Sequence, residues 1–309
     1  MRWGQITLPD LSPNDAIVKH TAVGLNFIDT YHRGGEFPLH QFPAVIGVEG
    51  AGIVEAIGDD VENVAIGDHV AYTAGIGSYA EKRVVQSDRL VLIPDGISDI
   101  EAAGIISKGM TAESMLRRVY TVKHGDIVLI HAAAGGMGLI MSAWAKHLGA
   151  TVIGTTSSDE KAALARDHGC DHTILYNKED FVERVKEITH GALCNVVYDS
   201  VGATTFLPSL DCLRRRGTLV NYGTSSGPVP DLPMGKLHSM GSLHVTRASV
   251  IDYTITRDEV IESSNALWAV LRSGGVKINI NQTYDLENAV QAHRDIESRK
   301  TTGSTVLLV

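Results

Sequence analysis

The pattern of hydrophobic residues changes its period within one stretch, DIVLIHAAAGGMG at residues 126–138. Residues 127–130 form a continuous apolar run, which is typical of a strand buried on both faces of a parallel sheet. Small residues and glycines follow, and residues 137–148 then repeat apolar side chains at helical spacing up to Gly149. The pattern therefore predicts a strand, a tight turn and a helix.

Further apolar runs alternate with helical stretches after this point. They predict strands at residues 151–156, 173–176, 195–200, 219–222 and 242–247. Regular alternation of strand and helix is typical of a doubly wound parallel sheet with right-handed crossovers. The predicted fold class of this part is α/β, a Rossmann-type sheet.

The chain before this sheet has a different pattern, with short β segments separated by glycine and no long helical periodicity. Strands are predicted at 16–21, 50–57, 69–73, 81–85 and 91–93, which suits a mostly β, barrel-like domain. A helical pattern covers 99–120. After the parallel-sheet part, the sequence predicts a helix at 258–273, a strand at 276–280, a helix at 286–298 and a strand at 304–309.

Composition and charge narrow the class of protein. A chain of 309 residues, 44% hydrophobic and 20% charged, predicts two soluble domains, and its apolar runs are too short to cross a bilayer. We find no secretory signal pattern, so a cytoplasmic location is expected. Three cysteines without metal-ligand spacing favour buried thiols, and the net charge of −9 argues against a nucleic-acid partner.

One basic run stands out against this acidic background. Arg214, Arg215 and Arg216 precede Gly217, where we predict the end of a helix. Cations at that end complement the helix dipole, so a structural role is favoured over an anion site.

The glycine turn itself fits a dinucleotide fingerprint with one substitution. Ala133 stands at the position of the usual first glycine, Gly135 lets backbone approach a pyrophosphate, and Gly138 permits close packing of helix on strand. The amino end of the helix would face the phosphates. Such turns also occur as purely structural connections, so the motif alone leaves both possibilities open.

A family resemblance is carried by four segments: residues 26–38 (NFIDTYHRGGEFP), 47–54 (GVEGAGIV), 131–138 (HAAAGGMG) and 293–309 (HRDIESRKTTGSTVLLV). Together they resemble the NADPH:quinone oxidoreductases of the zeta-crystallin type, in the medium-chain dehydrogenase/reductase superfamily. The resemblance implies a GroES-like catalytic domain at residues 1–107 and 247–309 and a Rossmann domain at 108–246. It also implies a cofactor cleft between the domains and a homodimer, with the strand at 242–247 pairing across it.

Family members usually begin with a further strand and a Gly-Pro turn before the position of Arg2, and these are absent here. Either the start codon is placed late, or the chain lacks this strand of its catalytic domain and the backbone groups of the neighbouring strand are expected to pair differently.

The cofactor is predicted from the end of the second strand of the sheet. NAD sites usually place Asp or Glu there, about twenty residues past the glycine turn, to hold the ribose hydroxyls. Here the position is Thr155 or Thr156, and Lys161 can reach a 2′-phosphate as a point charge. Tyr176 could add a hydroxyl donor, and the resemblance places both Lys161 and Tyr176 at phosphate-contacting positions. We therefore expect NADPH.

Zinc is not expected, because each catalytic ligand position of the related alcohol dehydrogenases is altered. By motif alignment these positions hold Asn26, Val48 and a residue near Ser107, none of which is a thiol or an imidazole. A structural zinc site would need four closely spaced cysteines in the first domain, where there are none. Without a Lewis acid, alcohol oxidation is disfavoured, whereas a quinone carries its own electron sink.

The catalytic candidates lie at the expected nicotinamide end. Asn26, Tyr31 and Thr111 are predicted to position the quinone or the ring by hydrogen bonds, and Phe37 to form an apolar wall. Members of the resembled family often have tyrosine at the position of Phe37. The resemblance also implies that Arg299 reaches back to contact the cofactor. From the residues alone, Asn26 could be a helix cap and Tyr31 a core aromatic.

The cofactor-binding candidates combine residues of the turn and of the carboxyl ends of the strands with Asn26 and Thr111 at the nicotinamide end and with Arg299, which the resemblance implies. They are Asn26, Thr111, Ala134, Gly135, Gly136, Met137, Gly138, Thr155, Thr156, Ser157, Lys161, Tyr176, Ser200, Tyr222, Gly223, Thr224, Ser225 and Arg299.

Two other functions stay open at this stage. The same hydride geometry could reduce the double bond of an enone or enoyl thioester, with Tyr31 as the one obvious proton donor. The second open function is that of a non-catalytic NADPH-binding protein with a structural or RNA-binding role. The acidic net charge argues against RNA binding.

Overall fold

The computed structural model describes residues 1–39 and 41–309, and it separates into two compact units. The first unit comprises Met1–Met110, Thr254–Trp268 and Ile278–Val309. The second comprises Thr111–Tyr253 and Ala269–Lys277.

The strands, in chain order, are β1 (Asp15–Leu25), β2 (Glu49–Ile57), β3 (His69–Thr73), β4 (Lys82–Gln86), β5 (Val91–Leu92), β6 (Ile127–Ile130), β7 (Thr151–Thr156), β8 (His172–Leu175), β9 (Cys194–Asp199), β10 (Leu213–Asn221), β11 (His244–Arg247), β12 (Ile280–Asp285) and β13 (Ser304–Leu308). The helices are α1 (Phe27–Gly34), α2 (Asp99–Glu113), α3 (Gly136–His147), α4 (Asp159–Asp167), α5 (Phe181–Ile188), α6 (Phe206–Leu210), α7 (Met234–Ser239), α8 (Arg257–Arg272) and α9 (Ala289–Glu297). Helix α2 continues into a π-helical turn at Ser114–Val119.

The first unit is built on a seven-stranded sheet in which β1 is the central element. The order is β12-β13-β1-β2-β3-β5, and β4 pairs with β1 on the edge opposite β2. Strand β1 runs antiparallel to β2, β4 and β13. Its buried side chains, including Val18 and Val23, enter two apolar clusters, which also take in Val70 from β3 and Leu307 from β13.

The second unit is a six-stranded sheet in the order β11-β10-β9-β6-β7-β8, and every pair is parallel. The chain runs from β6 outward to β8 and then returns to β9 on the other side of β6. This reversal places a crevice at the carboxyl ends of β6 and β9, where ligands of doubly wound sheets bind. The expected α/β fold with a mostly β first part is confirmed.

Two elements differ from the sequence-based expectation. The strand predicted at 276–280 is wrong, because the extended segment is β12 at Ile280–Asp285, whose side chains alternate between half-buried and exposed. This strand, in which polar residues alternate with a period of two, pairs parallel to β13. The short helix α1 has no counterpart in the prediction, because eight residues are too few to show a helical period.

The predicted helix end at Arg214, Arg215 and Arg216 is also wrong. These arginines lie in β10, which begins at Leu213. Helix α6 ends earlier, at Leu210, so no helix dipole accounts for the three charges.

Candidate functional site

The turn after β6 leaves no room for a side chain at one of its glycines. A Cβ atom on Gly138 would lie 2.3 Å from the Ala132 carbonyl oxygen and 2.6 Å from the carbonyl carbon of Ala133. Those atoms belong to the backbone and cannot move independently of the turn. Gly138 therefore allows the first turn of α3 to rest directly on the end of β6, as the fingerprint requires.

Ala133 is accommodated at the first fingerprint position by a glycine on the neighbouring strand. A Cβ on Gly154 of β7 would lie 2.6 Å from the Ala133 Cβ. The Ala133 backbone N–H donates to the Thr155 carbonyl at 3.0 Å, and Ala132 adopts a left-handed φ of 53°. The turn keeps its shape because Gly154 provides the space that the missing glycine usually does.

The ends of β7 and β8 bring the predicted phosphate-binding residues together. The Tyr176 N–H donates to the Thr156 carbonyl at 3.2 Å, and Ser157 follows Thr156 directly. Lys161 lies in the first turn of α4, where its N–H donates to the Ser158 hydroxyl at 3.3 Å. The Tyr176 side chain is 44% exposed. No carboxylate ends β7, so this edge can accept a phosphate.

The ends of β9 and β10 form the other side of the crevice in this unit. The Ser225 N–H donates to the Ser200 carbonyl at 3.2 Å, and Gly223 is required because its Cβ would lie 2.6 Å from that carbonyl. Tyr222 and Thr224 belong to the same loop. The loop is held by Asn221, whose amide donates to the Gly223 carbonyl at 2.9 Å and to the Asp199 carbonyl at 3.1 Å.

These residues fit a dinucleotide. One buried polar atom at the edge of the crevice, Thr156 Oγ1, makes no hydrogen bond within the described protein. Buried hydroxyls normally find a partner, so this one suits a ligand atom. Together with the backbone cradle at Gly135 and Gly138, it supports the carboxyl edge of this sheet as the cofactor-holding surface.

A buried carboxylate organises the polar residues of the first unit. Glu49 is fully buried and accepts hydrogen bonds from the Asn26 amide at 2.6 Å, the Ser107 N–H at 2.8 Å and the Lys108 ammonium at 2.9 Å. Asn26 and Ser107 are two of the positions aligned with zinc ligands in the sequence, and the structure brings both to Glu49. An ion pair occupies the centre of this group.

A chain of hydrogen bonds leads from the surface of the first unit to a second buried acid. Arg33 lies 3.3 Å from His293 Nδ1, His293 Nε2 lies 3.1 Å from the Tyr79 hydroxyl, and that hydroxyl donates to Asp29 Oδ2 at 3.1 Å. The Asn26 N–H also donates to Asp29 Oδ2 at 2.8 Å. Because the Tyr79 hydroxyl donates its proton to Asp29, its oxygen accepts a hydrogen bond from His293. The His293 proton therefore lies on Nε2.

The two titrating groups of this chain are shifted in opposite directions. Burial of the Asp29 carboxyl, together with the Glu49 charge, raises its pKa to about 7. The Asn26 N–H, Tyr79 and Lys108 act in the opposite direction and lower the pKa by less. Burial and the Arg33 charge lower the pKa of His293 to about 4. At neutral pH the imidazole is therefore uncharged, and Asp29 is close to half protonated.

We predict that Asp29→Asn removes a pH dependence of stability. Because the folded-state pKa of Asp29, about 7, exceeds its ordinary value of 3.8, the folded protein holds a proton that the unfolded chain releases between these values. Stability from this group is present below about pH 4 and is lost as the pH rises toward 7, so the wild type should lose roughly 2 kcal/mol between about pH 5 and pH 7 relative to the variant. Urea unfolding across this pH range measures the difference.

Asp10→Asn is the matched control for this change, because Asp10 is exposed. It should follow the wild type at every pH. Parallel pH profiles for Asp29→Asn and the wild type would contradict the assignment.

The other predicted residues have less distinctive surroundings. Tyr31 is 8% exposed and packs edge-on against Phe27 and Phe37, so it combines a core aromatic with a polar end. Asn26 is the N-cap residue of α1 as well as a donor to Glu49. Arg299 follows α9 in the first unit with a φ of 60°, and Thr111 lies in α2 as the first residue of the second unit.

Among the turn residues, Ala134 precedes α3, whose first residues are Gly136 and Met137. Sequence reasoning did not single out Asp29, Glu49, Tyr79, Lys108 or His293. Asp29, Glu49 and His293 fall within quoted motif segments, which is one signal that could have found them. Asp29, three residues after Asn26, also matches the spacing of a capping box.

Within residues 1–39 and 41–309, no group of three His, Cys, Asp or Glu side chains is arranged to hold a metal. In the same ranges, every helix is too short or too polar to cross a membrane. The three cysteines are free and buried, as their number suggested.

Comparison with known families gives a match for each part of the chain. Residues 12–95 match the alcohol dehydrogenase GroES-like domain, and residues 136–267 match the family described as zinc-binding dehydrogenase. With the parallel sheet and its glycine turn, these matches define a medium-chain dehydrogenase/reductase.

Individual relatives narrow this class. The chain is 46% identical to a quinone oxidoreductase of Pseudomonas aeruginosa, over 96% of this chain and 91% of the relative. A crystal structure of Escherichia coli quinone oxidoreductase complexed with NADPH superposes with a TM-score of 0.96 at 43% identity, covering 99% of this chain and 95% of that one. A 2-haloacrylate reductase of a Burkholderia species is 42% identical over 99% of this chain and 94% of the relative. The chain belongs to the quinone oxidoreductase family.

Proposed function

We propose that this protein reduces quinones with NADPH, without a catalytic zinc. The observation that carries the proposal is the carboxyl edge of the second unit, where Gly138 leaves space for a pyrophosphate-binding turn and β7 ends in threonines beside Lys161. An acidic ribose clamp is missing, so a 2′-phosphate meets no repelling carboxylate. The quinone oxidoreductase relatives and the NADPH complex of the E. coli enzyme support the same substrate and cofactor.

The reaction asks mainly for orientation and exclusion of water. Bound NADPH would supply the hydride for this reduction. We assign orientation to the polar groups of Asn26, Tyr31 and Thr111, with Phe37 as an apolar wall. The Asn26 amide is fixed by its bond to Glu49, which removes rotational freedom that a positioning group would otherwise lose on binding.

Lys161→Ala tests the choice of cofactor. We expect the KM for NADPH to rise about 10- to 100-fold, since one charge-assisted contact to the 2′-phosphate is lost. The KM for NADH should change little. Steady-state kinetics with both cofactors measures this, and Lys186→Ala, which removes an exposed lysine of α5, is the control. Equal changes for NADPH and NADH would argue against the assignment.

A second candidate function is reduction of an activated carbon-carbon double bond, which the 2-haloacrylate reductase relative favours. A competition assay separates the two: a quinone and an α,β-unsaturated ketone are offered together with NADPH, and the products are resolved by chromatography. Hydroquinone as the main product supports the proposal. A saturated ketone formed in preference would replace it with the second function.

We further propose a cytoplasmic homodimer. The family resemblance supports the dimer, and three buried, unpaired cysteines are consistent with a reducing compartment. Light scattering on purified protein gives the molar mass that decides the oligomeric state.

A further inference from the structure

A histidine lies buried at the end of β6, next to the glycine turn, and the proposed reaction assigns it no role. His131 is 1% exposed and packs edge-on against Phe181, with 5.0 Å between the ring centroids. Nδ1 of the imidazole lies 3.0 Å from Thr155 Oγ1, and Nε2 lies 2.9 Å from Ser209 Oγ. Both ring nitrogens therefore have a partner, and the histidine joins the end of β7 to α6.

The hydrogen bonds of Ser209 decide which nitrogen of His131 carries the proton. The Ser209 hydroxyl donates to the Thr205 carbonyl at 2.7 Å, so its oxygen accepts from His131 Nε2. Burial lowers the pKa of His131, and the Asp199 charge acts in the opposite direction by less, so the imidazole is uncharged at pH 7. Nδ1 then carries no proton, and it accepts a hydrogen bond from the Thr155 hydroxyl.

The two threonines that end β7 differ in what their hydroxyl groups can still bind. Thr155 is 2% exposed, and its hydroxyl donates to His131 and accepts from the Ala132 N–H at 3.3 Å. A hydroxyl has one proton, so Thr155 has none left to donate to a phosphate oxygen. Thr156 Oγ1 makes no hydrogen bond within the described protein. Of the two hydroxyls, that of Thr156 suits a ligand and that of Thr155 serves the turn.

Ala132, the residue that Thr155 holds, determines the shape of the glycine turn. Its φ of 53° is a conformation that residues other than glycine rarely adopt. Its carbonyl oxygen accepts from the Gly135 N–H at 2.9 Å and is the atom nearest to a Cβ placed on Gly138. Because Ala132 is exposed, packing of its methyl group does not hold this conformation. Its backbone hydrogen bonds must do so, and one of them goes to Thr155 Oγ1.

We propose that His131 is a positioning residue for NADPH: by accepting at Nδ1, it holds the Thr155 hydroxyl toward the Ala132 N–H and keeps the turn in its phosphate-binding shape. Without this acceptor, the Thr155 side chain gains nothing from the rotamer that faces Ala132. The left-handed conformation of Ala132 then has one hydrogen bond fewer to maintain it. The inference rests on the proposed function, because it takes this turn as the NADPH-binding site.

Paired threonine variants test the step from Thr155 to the turn. Thr155→Val removes the hydroxyl and keeps the branched shape, whereas Thr155→Ser keeps the hydroxyl. Thr189→Val is the matched control, because Thr189 is also buried and its hydroxyl also joins one donor to one acceptor. It accepts from the Leu193 N–H at 3.1 Å and donates to the Val185 carbonyl at 2.7 Å. Thr189 precedes β9 on the amino side of the sheet, away from the turn.

Two substitutions of His131 separate the roles of its two nitrogens. Asparagine places a carbonyl oxygen near the position of Nδ1, so His131→Asn can accept from Thr155 but loses the bond to Ser209. Glutamine places an amide N–H near the position of Nε2, so His131→Gln can donate to Ser209 but leaves Thr155 without an acceptor. A role confined to packing would be affected alike by both substitutions.

Fluorescence titration gives the Kd for NADPH, steady-state kinetics with p-benzoquinone gives KM and kcat, and thermal unfolding of the apo proteins compares their stability. We expect the Kd and KM for NADPH to rise about tenfold in Thr155→Val and in His131→Gln, with kcat little changed. Thr155→Ser and His131→Asn should bind NADPH nearly as tightly as the wild type. Thr189→Val should lose as much thermal stability as Thr155→Val and keep its affinity.

A Thr155→Val variant that binds NADPH as tightly as the wild type overturns the inference. Equal weakening in Thr155→Val and Thr189→Val, or in His131→Asn and His131→Gln, overturns it as well, because affinity then follows general stability. A wild type that does not bind NADPH overturns both the inference and the proposed function. If the wild type binds NADPH and the variants separate as expected but no quinone is reduced, the proposed function alone is contradicted.

Discussion

Lys108→Met is expected to lower the free energy of unfolding of the first unit by about 3–5 kcal/mol, because it leaves a buried carboxylate without its counter-charge. Glu49 is fully buried, and the Lys108 ammonium lies 2.9 Å from Glu49 Oε1 with 8% of its side chain exposed. The hydrogen bonds from Asn26 and Ser107 remain in the variant, but neither donor carries a charge. Urea unfolding gives the change in free energy.

Lys82→Met is the matched control, since Lys82 forms an ion pair of similar length, 2.7 Å, with Glu55 at the surface. Exposed pairs contribute about 1 kcal/mol or less, so this variant should be close to the wild type. The double variant E49Q/K108M should regain much of the lost stability, because no buried charge is then left alone. A Lys108→Met variant as stable as Lys82→Met would show that Glu49 does not depend on this lysine.

Gly138→Ala and Gly135→Ala should separate the two roles of the glycine turn. The added Cβ at 138 would meet the backbone of Ala132 at 2.3 Å, so the apo protein should be destabilised by about 1–3 kcal/mol and should bind NADPH poorly. At 135 the nearest atom, the Ala132 carbonyl oxygen, lies at 3.3 Å, and φ is −76°. That variant should keep its stability and lose cofactor affinity alone.

Thermal unfolding of the apo proteins and fluorescence titration with NADPH measure the two effects. If Gly135→Ala binds NADPH as tightly as the wild type, the turn does not approach the cofactor. If Gly138→Ala unfolds at the wild-type temperature, the close contact between α3 and the turn is not required for stability.

The parallel sheet could be predicted because its signals are local. A continuous apolar run marks β6, a short segment rich in β-branched residues marks β7, and a glycine marks the end of the helix after β6. The ends of β7 and β8 also determined which side chains could meet at the cofactor edge, since parallel strands end on the same side. These features need no knowledge of distant contacts.

The buried polar groups could not be predicted from pattern. Glu49 and Lys108 are 59 residues apart in the sequence, and His293 lies 214 residues from Tyr79, so their pairing depends on how the first unit closes. A charged residue in a sequence favours the surface unless its partner is known. Their burial is a property of tertiary packing.

The prediction of a helix end at the three arginines was wrong for a related reason. Three successive arginines before a glycine resemble a charged helix end, and no sequence pattern indicates an interrupted strand at Arg216. The position predicted for β12 was wrong because its residues, which alternate between half-buried and exposed, are largely polar. Hydrophobic periodicity is weakest at such sheet-edge strands.

The central claim, quinone reduction with a preference for NADPH, is tested most directly by steady-state kinetics of the wild-type protein with p-benzoquinone and either NADPH or NADH. We expect quinone-dependent oxidation of NADPH with hydroquinone as the product, and a kcat/KM for NADH lower by at least about tenfold. No quinone-dependent oxidation of either cofactor, or equal kcat/KM values for the two, would contradict the account.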